Sequence, residues 1–249
     1  MHILYVTNDW YESAVHRNLV FAIAQCRADM CISVYVPLKI YETVDIDKNL
    51  PDNVKVYTSF VLHNRHKFLY KSKLRVLLKD VQETIPDIHS VDLVHSATQC
   101  LGGGVAFVLK KKTGIPYITA IRDTDVNVYY RFLIWQRGVF QKILDHADYV
   151  LFISKVYEQY FFNNCIPERK KQSVMAKSGM LQNGIDLVYL SNRKYHYHIF
   201  PKKLVFVGNF SERKNIHGVI EAVKLLREKG YNLTFTAIGQ KANDLTPYN

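Results

Sequence analysis

Cysteine is scarce in this sequence. The four present, Cys26, Cys31, Cys100 and Cys165, stand at no spacing used by a zinc finger or a CxxC redox pair. That pattern argues against a structural metal and for reduced thiols, most of them buried. Glycine is missing from the stretch after the first apolar run, "TNDWYESAVHRN", residues 7–18. This excludes a dinucleotide-binding fingerprint there, because backbone amides approach a phosphate closely where side chains are absent. No apolar run nears the ~18 residues that a membrane-spanning helix needs. The start, "MHILYVTND", has neither the charged head nor the long apolar core of a secretory leader. The expected location is the cytoplasm, with peripheral contact at the inner face of the membrane left open.

Acidic side chains are in deficit. Lys plus Arg number 33 against 22 Asp plus Glu, a formal net charge of +11. Such a balance suits an anionic partner, such as a nucleic acid, an anionic membrane face or a phosphorylated substrate, or is simply a basic solvated surface. The cations are dispersed and no nucleic-acid recognition motif is present, so nucleic acid is not an expected partner. Internal repeats and low-complexity tracts are also missing.

What is present is an alternation. "HILYV", "CISVYV", "VKVYT", "DLVHSA", "PYITAI", "DYVLFIS", "LVFVG" and "LTFTAIG" read as strands. Several are apolar on both parities, as strands covered on both faces are. Between them lie helical stripes: Leu19, Ala22, Ile23 and Cys26; then Leu74, Leu77, Leu78, Val81 and Ile85; then Phe132, Trp135, Val139 and Ile143; then Ile216, Val219, Ile220, Val223 and Leu226. Strand alternating with helix predicts an α/β class, a Rossmann-like doubly wound parallel sheet. The polar and aromatic segment "SNRKYHYHIFPKK", residues 191–203, is the expected linker. It separates a first domain, 1–190, from the start of a second Rossmann-like domain, 204–249.

In such a sheet the ligand lies beyond the carboxyl ends of the strands. After the first strand these are Asn8, Asp9 and Trp10. The following helix is expected near Ser13, with His16 in its first turns, either toward the cleft or on the surface. "CLGGGVAF" places Gly102, Gly103 and Gly104 at a helix start. It lacks the lysine and serine of a Walker loop, so close helix packing is favoured over a phosphate cradle. "YITAIRDTDVN" ends a strand in Arg122 and Asp123, followed by Asp125 and Asn127. Charges there are costly to bury unless paired or facing a cleft. Arg122 either forks onto an anion or pairs with an aspartate. "LVFVGNFSERKN" brings Gly208, Asn209, Arg213 and Lys214 between a strand end and a helix expected to begin near Asn215. Cations add there to the positive potential of a helix N-terminus, an arrangement suited to a departing diphosphate.

"DLVHSA", "GIPYITAIRDTD", "ADYVLFIS", "LQNGID" and "LVFVGNFSERKN" together resemble the GT-B glycosyltransferases often called family 4. The resemblance implies transfer of a sugar from a nucleotide-sugar donor to a carbohydrate or lipid-linked acceptor, in cell-surface polysaccharide synthesis, without metal or other cofactor. It places the acceptor against Asn8, Asp9, Trp10 and His16 and the catalytic groups at Arg122 and Asp123. The donor diphosphate falls to Lys214, Arg213, Asn209 and Gly208. Asn183, Gly184, Ile185 and Asp186 look like the approach to an interdomain hinge. Three departures stand out. Asn209 occupies the place of the family's arginine, Arg122 that of a histidine common among relatives, and the Asn8–Trp10 region that of a glycine pair. A later glutamate motif is not reached, so the donor-side domain is expected to be incomplete. A noncatalytic acceptor-binding or scaffold subunit is the alternative. The basic segment from His63 to Lys79 is read either as an anionic-membrane contact or as a solvated helix with Leu74, Leu77 and Leu78 turned to the core.

Overall fold

The computed structural model describes residues 1–44, 49–67, 69–185, 187–191 and 202–239. In chain order the regular elements are β1 (His2–Val6), α1 (Ala14–Cys26), β2 (Cys31–Lys39), β3 (Val54–Leu62), α2 (Tyr70–Thr84), β4 (Leu93–Ser96), α3 (Gly102–Thr113), β5 (Tyr117–Ile121), α4 (Arg137–His146), β6 (Tyr149–Phe152), α5 (Lys155–Asn164), α6 (Glu168–Met175), β7 (Ser178–Met180), α7 (Leu187–Ser191), β8 (Lys203–Val207), α8 (Ile216–Glu228) and β9 (Thr234–Ile238). The chain divides into two compact units, Met1–Ser191 and Asn192–Asn249. Most of the expected linker, 192–201, lies outside the described residues.

The first unit is a seven-stranded sheet of order β3-β2-β1-β4-β5-β6-β7. Every pairing in it is parallel. This is the α/β, doubly wound class that the alternation predicts. Strand faces alternate into two cores. Leu4, Val6 and Tyr35 join Leu74, Leu77, Val105, Phe140 and Ile143 on one face. Tyr5, Ile32, Val34 and Val36 join Val20 and Ala24 on the other. Each such fully buried apolar side chain contributes about 1.5–3 kcal/mol. The order turns back between β1 and β4. At such a switch point successive crossovers leave in opposite directions and open a crevice at the strands' carboxyl ends.

The glycine run packs. A Cβ on Gly103 would lie 2.8 Å from Thr119 Oγ1 and 3.1 Å from Ile143, and one on Gly104 2.7 Å from the Tyr70 hydroxyl. The helix can therefore seat directly on β4, β5 and α2.

Three expectations are corrected, and one strand is added. The buried face of α1 is His16, Val20 and Ala24, whereas Ala22 and Cys26 are exposed. The stripe lies about one residue away from the apolar spacing because a histidine occupies a core position. Helix α4 starts only at Arg137 and buries Phe140, Ile143 and Leu144. Phe132 and Trp135 precede it and are 61% and 68% exposed. Cys100 and Cys165 are buried, but Cys26 and Cys31 are exposed. Strand β7 has too few apolar residues, "SGM", to be seen in the sequence.

The second unit holds β8 and β9, paired in parallel, and helix α8. Asn215, the N-cap, adopts φ 51 and accepts from the Gly218 N–H. The helix thus starts where the sequence predicts.

Candidate functional site

The crevice at the switch point is bordered by the loops after β1, β4 and β5. After β1, Thr7 Oγ1 accepts from the Asp9 N–H at 3.2 Å, and Asn8 Nδ2 donates to Asp9 Oδ1 at 2.6 Å. The Asp9 carbonyl accepts from the N–H of Ser13, which caps α1. Burial, with Glu12 nearby, raises the Asp9 pKa. The loop turns Trp10 inward to 0% exposure, against Phe21. Its side chain is core, which corrects its expected place against an acceptor. His16 is neither on the surface nor in the cleft. It is buried, with Nδ1 2.7 Å from the Tyr5 hydroxyl. Burial first, then the field of Arg122 and His95, lowers its pKa to about 3. His95, stacked edge-on against Tyr5, is likewise lowered to about 4 by burial and Arg122. Both rings are neutral near pH 7.

The loop after β5 is organised by Asp125. This fully buried carboxylate accepts from three backbone N–H groups, those of Gln99, Cys100 and Arg122, at 3.2, 2.8 and 3.0 Å. Burial raises its pKa and these hydrogen bonds oppose the rise. It ties the β5 loop to the start of α3. The segment it begins, Asp125–Tyr130, is a widened π-helical turn, a form frequent at functional sites. It sends Tyr130 into the core and leaves Tyr129 half-buried at the crevice.

Among the described residues Arg122 does not form the ion pair weighed against anion binding. Its Nε donates to the Ala97 carbonyl at 2.8 Å and a terminal nitrogen to Asn183 Oδ1 at 3.0 Å. The guanidinium is thereby held at the crevice in one orientation. Asp123 accepts from Asn127 Nδ2 at 2.7 Å and from the Tyr157 hydroxyl. The structure therefore brings Arg122 and Asn183 together, and Asp123 together with Asn127 and Tyr157.

Two hollows flank this arrangement. One, of about 250 Å³, is lined by Asp9, Glu12, Lys39, Glu42, Lys73 and Tyr129, with Asn8 and Thr98. The other, of about 650 Å³, runs between α1 and residues 181–185, with Arg122 in its wall. Lys73 was missed as a site residue because its segment reads as surface. The signal available was its position on α2, beside the buried stripe of Tyr70, Leu74 and Leu77.

In the second unit, Gly208 lies at the end of β8 with φ 156, and its N–H donates to the Ile238 carbonyl at 3.0 Å. A Cβ on Gly239 would fall 1.9 Å from the Gly208 carbonyl oxygen, so the two strand ends meet through glycine. Glu212–Lys214 form one 3-10 turn leading into α8. Asn209 and Lys214 are exposed. The side chain of Arg213, like residue Asp186, lies outside the described residues. Among the described residues no three His, Cys, Asp or Glu side chains gather as a metal-holding group.

A doubly wound parallel sheet with a crevice at its switch point, and a second strand–loop–helix unit, make this a Rossmann-like α/β chain. No protein-family model matches the chain. Over 146 residues, 55% of this chain, it is 27% identical to "Putative teichuronic acid biosynthesis glycosyltransferase TuaC" of Bacillus subtilis (strain 168). The match spans 35% of that relative's length. In fold the chain is similar to HepE of Anabaena, solved with UDP-glucose (TM-score 0.55, 13% identity, 97% of this chain and 70% of that one). It is similar to sucrose-phosphate synthase of Thermosynechococcus elongatus (TM-score 0.61, 15% identity, 96% and 70%). It is also similar to UDP-GlcNAc 2-epimerase of Neisseria meningitidis bound to UDP-GlcNAc (TM-score 0.55, 11% identity, 99% and 66%). At these identities the structural likeness is one of fold. The sequence relative, by its name, is a glycosyltransferase, in keeping with the resemblance that the motifs carry.

Proposed function

We propose that this chain belongs to a glycosyltransferase that moves a sugar from a nucleoside-diphosphate donor to a carbohydrate or lipid-linked acceptor in cell-surface polysaccharide synthesis. The observation that carries the reading is the smaller hollow. It combines carboxylates, an amide, hydroxyls and ammonium groups at the carboxyl ends of β1, β2 and β4. A polyhydroxylated acceptor needs such alternating donors and acceptors, because each sugar hydroxyl both donates and accepts. Asn8 and Asp9 would hold it. His16 acts from behind, fixing Tyr5 and the sheet end. Arg122, held in one orientation, and Asp123 stand beside the crevice for the transfer itself. On the donor side the diphosphate meets Lys214, with Arg213, Asn209 and the Gly208 backbone, at the entrance to α8. A cation and a helix N-terminus stabilise the departing charge there, so the proposed chemistry calls for no metal or cofactor. A noncatalytic acceptor-binding subunit is the second reading. It is favoured by Asn209, which is uncharged where the resemblance expects an arginine.

The donor half is tested by calorimetric titration of the protein with UDP. Binding that Lys214→Ala weakens about tenfold or more, in the range for a hydrogen bond to a charged group, supports it. Lys229→Ala, at the other end of α8, is the control and leaves affinity unchanged. Absence of UDP binding, or equal affinity in both variants, overturns it. Binding of glucose without turnover of UDP-glucose in the presence of acceptor would favour the second reading.

Location is proposed to be the cytoplasmic face of the membrane, with peripheral contact. Among the described residues no helix is long and apolar enough to cross a bilayer. Leu74, Leu77 and Leu78 are buried, so α2 has no apolar face to insert. Its outward ridge is Lys71, Arg75 and Lys79, all exposed and one turn apart, with Lys79 3.7 Å from Glu83. Contact would therefore be electrostatic, and co-sedimentation with anionic vesicles should vanish at high salt. Equal binding to neutral vesicles sinks this part.

A further inference from the structure

Lys73 lies in the first turn of α2 with its ammonium in the smaller hollow. Its hydrogen bond runs to the neutral Tyr129 hydroxyl, at 3.4 Å. Among the described residues it makes no ion pair with a carboxylate, although three carboxylates line the same hollow. Two of those are engaged elsewhere. Glu42 takes both the Lys39 ammonium and the Lys39 N–H, at 3.0 Å each. Asp9 accepts from Asn8 at 2.6 Å. The third, Glu12, is exposed at the rim. Lys39 is therefore neutralised by a direct ion pair, whereas the hydrogen bond of Lys73 is to a neutral hydroxyl and Asp9 reaches it only through its field.

A desolvated ammonium is costly unless something in the bound state offsets it. The cost shows in Lys73 itself. Burial, opposed by Cys100 and Asp9 and aided by Lys39, lowers its pKa to about 8. It still carries its charge near pH 7. A ligand that brings its own negative charge relieves the cost, and a neutral sugar does not.

We propose that the hollow selects an acidic acceptor, a saccharide bearing a carboxylate or phosphate group, and that Lys73, assisted by the Tyr129 hydroxyl, is the residue that determines this specificity. The inference rests on the reading of the hollow as the acceptor site and goes beyond it by assigning the acceptor's charge.

The test is titration of the protein with three probes: glucose, glucuronate and glucose 6-phosphate, followed by NMR shifts of the protein. Either charged probe, or both, is expected to bind at least about tenfold tighter than glucose, the order of one hydrogen bond to a charged group. The stronger of the two identifies carboxylate or phosphate as the group recognised. Lys73→Met should abolish the preference for the charged probe over glucose. Lys73→Arg should retain most of it. Methionine keeps the length and apolar stem of lysine, so the thermal midpoint of Lys73→Met should match or exceed that of the parent, which separates specificity from folding. Equal affinity for charged and neutral probes, or a preference that survives Lys73→Met, overturns this inference and leaves the acceptor-site reading standing. No binding of any probe overturns both.

Discussion

The two units place charge in opposite ways. In the first, the polar groups of the crevice are fixed by burial. Asp125 gathers three backbone donors at 0% exposure, Arg122 is tied to Ala97 and Asn183, and His16 sits under Tyr5. In the second, Lys214 is exposed on a short turn, and its position comes from local backbone, glycine at a strand end and Asn215 at a helix start. The first arrangement buys rigidity through desolvation and many partners. The second needs only a few residues of sequence and is held by the geometry of one strand–loop–helix unit. Perturbing a fixing group should therefore unfold the first unit, whereas changing Lys214 should alter binding alone.

The largest break is expected from Asp125→Ala. It strands three N–H groups, those of Gln99 and Cys100 buried and that of Arg122 partly so, and with about 1–3 kcal/mol for each unsatisfied group, a loss of at least about 3 kcal/mol is expected by urea denaturation. A loss below about 1 kcal/mol, the ordinary effect of a point substitution, would show that the β5 loop is held by other means.

Acid should act on the same unit through His16 and His95. Both are neutral in the fold, with pKa values of about 3 and about 4. In the unfolded chain they titrate near 6.5. Between these limits the unfolded state binds more protons, so stability is full above about pH 6.5 and falls as pH drops toward the folded values. The slope is up to about 1.4 kcal/mol per pH unit for each ring, or about 3 kcal/mol between pH 6.5 and 5. Denaturation midpoints that stay level over that interval would refute the neutral, buried assignment.

Gly103→Ala sharpens the packing side of the contrast. Its Cβ would press on Thr119 and Ile143, an overpacking cost of about 1–3 kcal/mol. Gly184→Ala, with nothing within 4 Å, should change stability by less than about 0.5 kcal/mol. Lys214→Ala should leave thermal stability within the same margin while weakening UDP. The smallest effect is expected at Trp135→Ala. At 68% exposure this tryptophan should contribute less than about 0.5 kcal/mol, against the about 3–5 kcal/mol for Trp→Ala in a core expected at the buried Trp10.

Local pattern was enough for much of this chain. Strands such as "HILYV" and "PYITAI", the α2 stripe from Leu74 to Ile85 and the start of α8 are legible because side-chain periodicity and capping act within a few residues. So is the parallel α/β class, since alternation of these elements leaves few ways to bury both faces of the strands. Which polar residue is core and which is cleft was not legible. His16 and Trp10 lie a few residues from Asp9, yet they are buried while Asp9 lines the hollow, because that depends on Tyr5, Phe21 and Arg122 arriving from other elements. The stripe of Phe132 and Trp135 failed for the same reason: the π-helical turn set by Asp125 delays α4 to Arg137. Lys73 reads as one more surface cation until α2 packs beside Tyr129. Sequence by itself determined the elements, whose physics is short-range. Tertiary structure alone decided burial, partners and protonation, because desolvation depends on every group that closes over a residue.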